Sequence, residues 1–161
     1  MSGAAMETDI LEEGMRAGEV KVELPRAFDA GLYFIGRIRT PWTRRSECPR
    51  RGDPLAGPVC RLEIDPRWGE ALEGVADKPR LQVLYWMHEA RRDLVLQSPG
   101  HSGKLAGTFS LRSPVRPNPI ASSVVQLVGV EGTHLLVRGL DCLDGTPLVD
   151  VKPDVCAHAS A

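Results

Sequence analysis

The sequence predicts a mainly β chain: a small antiparallel barrel with one or two short helices. Three observations predict it. Several short stretches alternate apolar and polar positions, the period of a half-buried strand. Sixteen glycines and 13 prolines cut the 161 residues into short runs, which favours turns over long helices. Only one stretch spaces its apolar residues as a helix would. A curled or closed sheet is favoured over an open one because closure removes exposed strand edges. With 42% hydrophobic and 25% charged residues, the composition suits one globular domain.

Residues 1–29 hold seven acids against three bases. Only Val20, Val22 and Leu24 alternate there, so 1–29 reads as a mobile N-terminal extension. The domain is expected over 30–155, with 156–161 as a small, polar tail. Leu32 to Thr40 reads as a strand, with Leu32, Phe34, Gly36 and Ile38 on one face, and Pro41 ends it. Trp42 to Asp53 is a basic loop. From Arg37 to Arg51 the chain carries six arginines (37, 39, 44, 45, 50 and 51) against Glu47 alone, a density that suits phosphate contacts as well as a solvated face. Val59 to Asp65 alternates again, with Cys60, Leu62 and Ile64 inward. Asp65-Pro66 is a helix start, an N-cap carboxylate before a proline at the first helical position. Trp68, Leu72 and Val75 follow at helical spacing, and Gly74 limits the length.

Arg80 to His88 is apolar on both faces and predicts a central strand. Glu89 to Asp93 leaves the sheet, and Gln97 to Gly103 reads as a loop. Leu105 to Arg112 predicts a strand with Leu105, Gly107, Phe109 and Leu111 on the apolar face. Pro114, Pro117 and Pro119 then stiffen the backbone on which Ser113, Arg116 and Asn118 sit. A loop so restricted loses little entropy on binding, although it also serves as a connector. Ser123 to Val130 and Thr133 to Leu140 form a hairpin about Glu131-Gly132. Asp141 to Asp154 closes the domain, with Asp144-Gly145 as a turn.

Candidate chemistry is thin when each residue is taken alone. His88 stands where the central strand turns polar, a place for a hydrogen-bonding residue as much as a catalyst. His101, His134 and His158 have no evident partners. No GxSxG, GxGxxG or phosphate-binding loop occurs. Cys48, Cys60, Cys142 and Cys156 lack metal-site spacing. Asp141, Asp144, Asp150 and Asp154 match no calcium loop, so no metal is expected. No apolar run is long enough to span a membrane and the N-terminus lacks a signal pattern, so a cytoplasmic protein is expected.

Five segments together carry more: FIGRIRTPW (34–42), CPRRG (48–52), MHEA (87–90), GTFSLRSPVRPNPIASSVVQL (107–127) and LDCLDGTPLVDVKP (140–153). In this order they resemble the TsaA/TrmO family. The resemblance implies an S-adenosylmethionine-dependent methyltransferase on a β-barrel rather than a Rossmann-like sheet. It implies a homodimer that methylates the N6 nitrogen of threonylcarbamoyladenosine next to the anticodon of tRNA. It places cofactor contacts on Pro49, Arg50, Arg51, His88, Glu89, Arg112, Ser123, Asp144, Gly145, Thr146 and Pro147. Arg116 and Asn118 would shape the site or meet the tRNA. His88 and Asp144 are candidate bases. Ala121 stands where many relatives have Gly, and Glu89 where Gln is frequent. Alternatives are the same fold acting on another RNA or a small molecule, and a non-catalytic sensor of S-adenosylmethionine.

Overall fold

Strand β4 (Arg80–Trp86) alternates buried and half-buried residues, with Leu81, Val83 and Tyr85 inward. It is hydrogen-bonded on both edges, to β7 (Ile120–Glu131) and to β9 (Pro147–Pro153), the central position its apolar faces predict. In this computed structural model, which describes residues 14–155, the sheet continues through β8 (His134–Arg138), β3 (Cys60–Ile64) and β2 (Gly36–Arg39). Pairing of β2 with β9 closes it. The result is a closed six-stranded barrel in the order β2-β3-β8-β7-β4-β9, with every pair antiparallel. The predicted fold class stands.

Register explains the core. Ile38 pairs with Leu62 and Leu62 with Leu135, and none of the three exposes any surface. Leu81, Val83, Val125, Val137 and Leu148 belong to the same cluster. Gly36 lies so close to β3 that a Cβ there would meet the Glu63 carbonyl at 2.0 Å. Two bulges bend the barrel. One leaves Val128 unpaired between β7 and β8, and the other lies beside Tyr85, where Leu84 pairs with Asp150 but Tyr85 with Leu148. The expected β7–β8 hairpin forms with its turn one residue later than predicted, at Gly132-Thr133, because Glu131 still pairs with His134; Gly132 has φ 61°.

The expected short helix is a 3-10 helix over Pro66–Leu72, capped by the Asp65 carboxylate, which accepts the Arg67 N–H at 3.0 Å. Trp68, Leu72 and Val75 pack against the barrel core.

A second sheet of three short strands joins β1 (Val20–Lys21), β5 (Leu94–Gln97) and β6 (Ala106–Gly107) in the order β1-β5-β6. Within the stretch read as an extension, Val20 and Lys21 thus pair with β5, and the Glu19 carboxylate accepts the Ser98 N–H at 2.9 Å. Its first 13 residues, the tail over 156–161, Cys156 and His158 lie outside the described residues.

Two predicted strands are corrected. Leu32 to Thr40 is a strand only over Gly36–Arg39, and Leu32 and Phe34 are 46% and 48% exposed. Leu105 to Arg112 keeps only the two residues of β6 and then tightens into a 3-10 turn, Thr108–Ser110. Its faces are inverted, with Thr108 buried and Phe109 83% exposed. The cause is polar: the Thr108 hydroxyl donates to the Leu94 carbonyl and accepts from Gln97 Nε2, both at 2.7 Å. Two satisfied buried hydrogen bonds hold the threonine inside against the apolar alternation.

Candidate functional site

At one end of the barrel lies a cleft of about 1270 Å³, above the usual 300–1,000 Å³ of a small-molecule site. Three walls build it: the basic loop after β2, the Met87–Ala90 segment after β4, and the Pro-rich segment before β7.

The basic loop begins with a 3-10 turn, Arg45–Glu47, closed by the Glu47 carboxylate, which accepts the N–H groups of Thr43 and Arg44 at 2.9 and 3.0 Å. Those backbone bonds, Thr43 first, hold the Glu47 carboxyl below its ordinary pKa. Gly52 brings the loop onto the barrel, since a Cβ there would lie 1.8 Å from the Gly139 carbonyl oxygen. Pro49, Arg50 and Arg51 consequently line the cleft.

The Pro-rich wall is held from both sides. On its outer side Arg92 donates to the Pro117 carbonyl at 2.6 Å and to Asn118 Oδ1 at 3.2 Å. The same guanidinium lies over the rings of Phe28 and Trp86, 5.1 and 5.3 Å from their centroids. Within the loop, Arg116 Nη1 donates to the carbonyls of Leu111 and Ser113 at 3.1 and 3.0 Å. Arg112 donates to the Ser122 carbonyl at 2.9 Å. These bonds act on a backbone that its prolines already restrict.

The floor is where β4 ends. Tyr85 donates its phenolic proton to Asp141 Oδ1 at 2.7 Å and lies 2.8 Å from Ser123 Oγ. The tyrosine has one proton, so the serine hydroxyl donates to the phenol oxygen. Burial, then the Asp141 charge, raise the Tyr85 pKa, so the phenol is a fixed donor. Burial also pushes the Cys142 thiol up to about 12 and the Cys60 thiol to about 11. Neither is a thiolate nucleophile.

Of the residues named from sequence, Pro49, Arg50, Arg51, His88, Glu89, Arg112, Arg116, Ser123 and Thr146 line this one cleft. Asp144, Gly145, Pro147 and Asn118 do not. The Asp144 carboxylate accepts the Thr40 N–H at 3.1 Å and lies 3.7 Å from Arg39. The Gly145 N–H bonds the Ile38 carbonyl at 2.8 Å, with φ 79° at the glycine. Pro147 opens β9 opposite Arg37. The turn ties β9 to β2 and presents Thr146 to the cleft, where its hydroxyl donates to the Leu143 carbonyl at 2.7 Å.

Sequence reasoning missed Tyr85 as a cleft residue and gave Asp141 no role of its own. A signal existed for the tyrosine. It is the one inward residue of Leu81, Val83 and Tyr85 with a polar tip, and a buried phenol needs a partner. Phe109, on the apolar face of the expected strand, stands exposed on the cleft wall. Among the described residues no group of three His, Cys, Asp or Glu could hold a metal ion.

Known proteins are similar to this chain. The probable S-adenosyl-L-methionine-binding protein VirR of Rhizobium radiobacter is 56% identical over 140 residues, covering 87% of this chain and 79% of VirR. An S-adenosyl-L-methionine-binding protein of Archaeoglobus fulgidus is 36% identical over 121 residues, 75% of this chain and 86% of its own. A crystal structure of TrmO superposes with a TM-score of 0.68 at 35% identity, covering 83% of this chain, which spans 62% of that one. The family model for the tRNA-methyltransferase O N-terminal domain matches residues 37–158, and the chain belongs to that family.

Proposed function

We propose that the cleft binds S-adenosylmethionine and that the protein transfers its methyl group to tRNA, at the N6 nitrogen of threonylcarbamoyladenosine beside the anticodon. One observation carries the reading. Separate segments of the sequence bring five arginines (45, 50, 51, 112 and 116), His88 and Glu89 into a single cleft over a fixed polar floor.

The residues fit the cofactor. Arginine forks match a carboxylate such as that of its methionine moiety. Arg112 spends one Nη2 bond on Ser122 and keeps further donors for a ligand. Arg116 already bonds two carbonyls of its own loop, which makes it a residue that shapes the wall. When bound, the cofactor supplies an electrophilic methyl group on a sulfonium. The protein's part is then positioning, which accounts for roughly 7–11 kcal/mol of barrier in well-oriented reactions. The Pro-rich wall, clamped by Arg92, supplies the required rigidity.

Two features favour RNA over a small substrate. The arginines around the mouth suit phosphates. Phe109, 83% exposed on the wall, offers a ring on which a base can stack. A homodimer working in the cytoplasm belongs to the same reading. The chain spans 62% of the TrmO crystal chain, so the recognition of one particular tRNA is itself part of the proposal.

The test is nucleoside mass spectrometry of tRNA incubated with the protein and methyl-labelled S-adenosylmethionine. The reading predicts labelled methyl-threonylcarbamoyladenosine. Tight cofactor binding without label in tRNA would contradict it and favour a sensor or another substrate.

A further inference from the structure

The cleft is not uniformly basic. Among its described lining residues the acids are Glu89 and Asp141, and the two are held very differently. Glu89 is exposed. Asp141 is half-buried between Leu140 and Cys142, which are 2% and 0% exposed. Its Oδ1 is fixed by the 2.7 Å bond from Tyr85, itself buried and backed by Ser123. Its Oδ2 has no hydrogen-bond partner among the described residues. Its charge acts on the Tyr85 phenol and on the thiols of Cys142 and Cys48, whose pKa values are all raised, burial being the first cause and the Asp141 charge a further one. All three are neutral near pH 7, so no neighbouring thiolate or phenolate competes for a cation there.

A fixed carboxylate under a rim of arginines makes a polarised site, which favours a ligand with its anionic end outward and its cationic centre deep. We propose that Asp141 is the charge-selecting residue of the cleft. Its carboxylate faces the sulfonium centre of S-adenosylmethionine and distinguishes that cation from the neutral thioether of S-adenosylhomocysteine. The assignment rests on the cofactor reading above and deepens it. It gives a physical reason for turnover: loss of the methyl group removes the charge that Asp141 holds, and the product is retained less tightly.

Calorimetric titration of the full chain with each of the two ligands tests this without any methyl acceptor. Wild-type protein should bind the sulfonium ligand more tightly than the thioether. Asp141→Asn keeps an oxygen for Tyr85 and should reduce that preference about tenfold or more, the scale of losing a unit charge a few ångströms away in a partly wetted site. Its thioether affinity should stay near wild type, with an unchanged thermal midpoint showing that it folds. Glu89→Gln should keep most of the preference. An unaltered preference in Asp141→Asn, or its loss in Glu89→Gln instead, overturns the assignment. The second variant decides the matter even if the first does not fold. Equal wild-type affinity for both ligands overturns the assignment alone, whereas binding of neither overturns the cofactor reading with it.

Discussion

Barrel core and cleft wall reach fixed structures by opposite routes. In the core, Ile38, Leu62 and Leu135 lie side by side on three adjacent strands and expose nothing. Burial and register do the holding there, and no polar bond is needed. In the wall from Leu111 to Pro119 only Pro119 is fully buried, and Arg112 and Asn118 are exposed. The wall is held by Arg92, Arg116 and Arg112 on backbone carbonyls, and by three prolines. A rigid binding surface can thus be built without a core of its own. Polar clamps on a proline-restricted backbone suffice, and they leave the surface wet and charged.

Substitutions can break this contrast. Leu62→Ala should cost the most, about 2–5 kcal/mol of global stability by denaturant unfolding, because it opens a cavity among residues that cannot close over it. A loss under 1 kcal/mol would mean that the core is less tightly packed than the register implies. Arg112→Ala should leave the unfolding midpoint close to wild type while weakening S-adenosylmethionine binding by roughly 1.5–3 kcal/mol, the value of a charge-assisted bond. Unchanged affinity in calorimetry would remove Arg112 from the site.

Arg92→Ala acts on the wall from behind. It should lower stability by about 1–2 kcal/mol and raise protease sensitivity between residues 111 and 119 specifically. Uniform sensitivity along the chain would show that wall and barrel unfold as one unit. The smallest effect is in pH. The side-chain bonds of Arg91 at 2.7 and 2.9 Å hold the Asp93 carboxyl below its ordinary value of 3.8. Its contribution is therefore complete above that value and is lost as pH falls through the lower folded pKa. Asp93→Asn should flatten that part of the acid-unfolding curve, and an identical curve would show the pair to be energetically silent.

The same contrast explains what was legible in the sequence. β4, β3 and the β7–β8 hairpin follow from period and turn residues, because burial on one face writes itself into alternation. β5 was missed because its four residues, Leu94–Gln97, are too few to show a period. Leu105 to Arg112 was misread because its pattern is apolar on the face that turns outward, and Gln97 and Thr108 decide the orientation through bonds no period reveals. The cleft floor was invisible for a related reason. Tyr85 lies 38 and 56 residues from its partners Ser123 and Asp141, and only barrel closure brings them together. The motif residues of the walls were legible through family resemblance, and nine of them do converge on the cleft. That resemblance could not tell Thr146, which faces the cleft, from Asp144, which braces β2.

Every binding effect described above requires the cleft between the basic loop and the Pro-rich wall to be the cofactor site. A crystal structure of the protein with S-adenosylmethionine tests it most directly. The ligand's carboxylate should lie among the arginines of the rim and its sulfonium toward Asp141. Density in the smaller pocket between Phe34, Arg37 and His134, with the cleft empty, would contradict it.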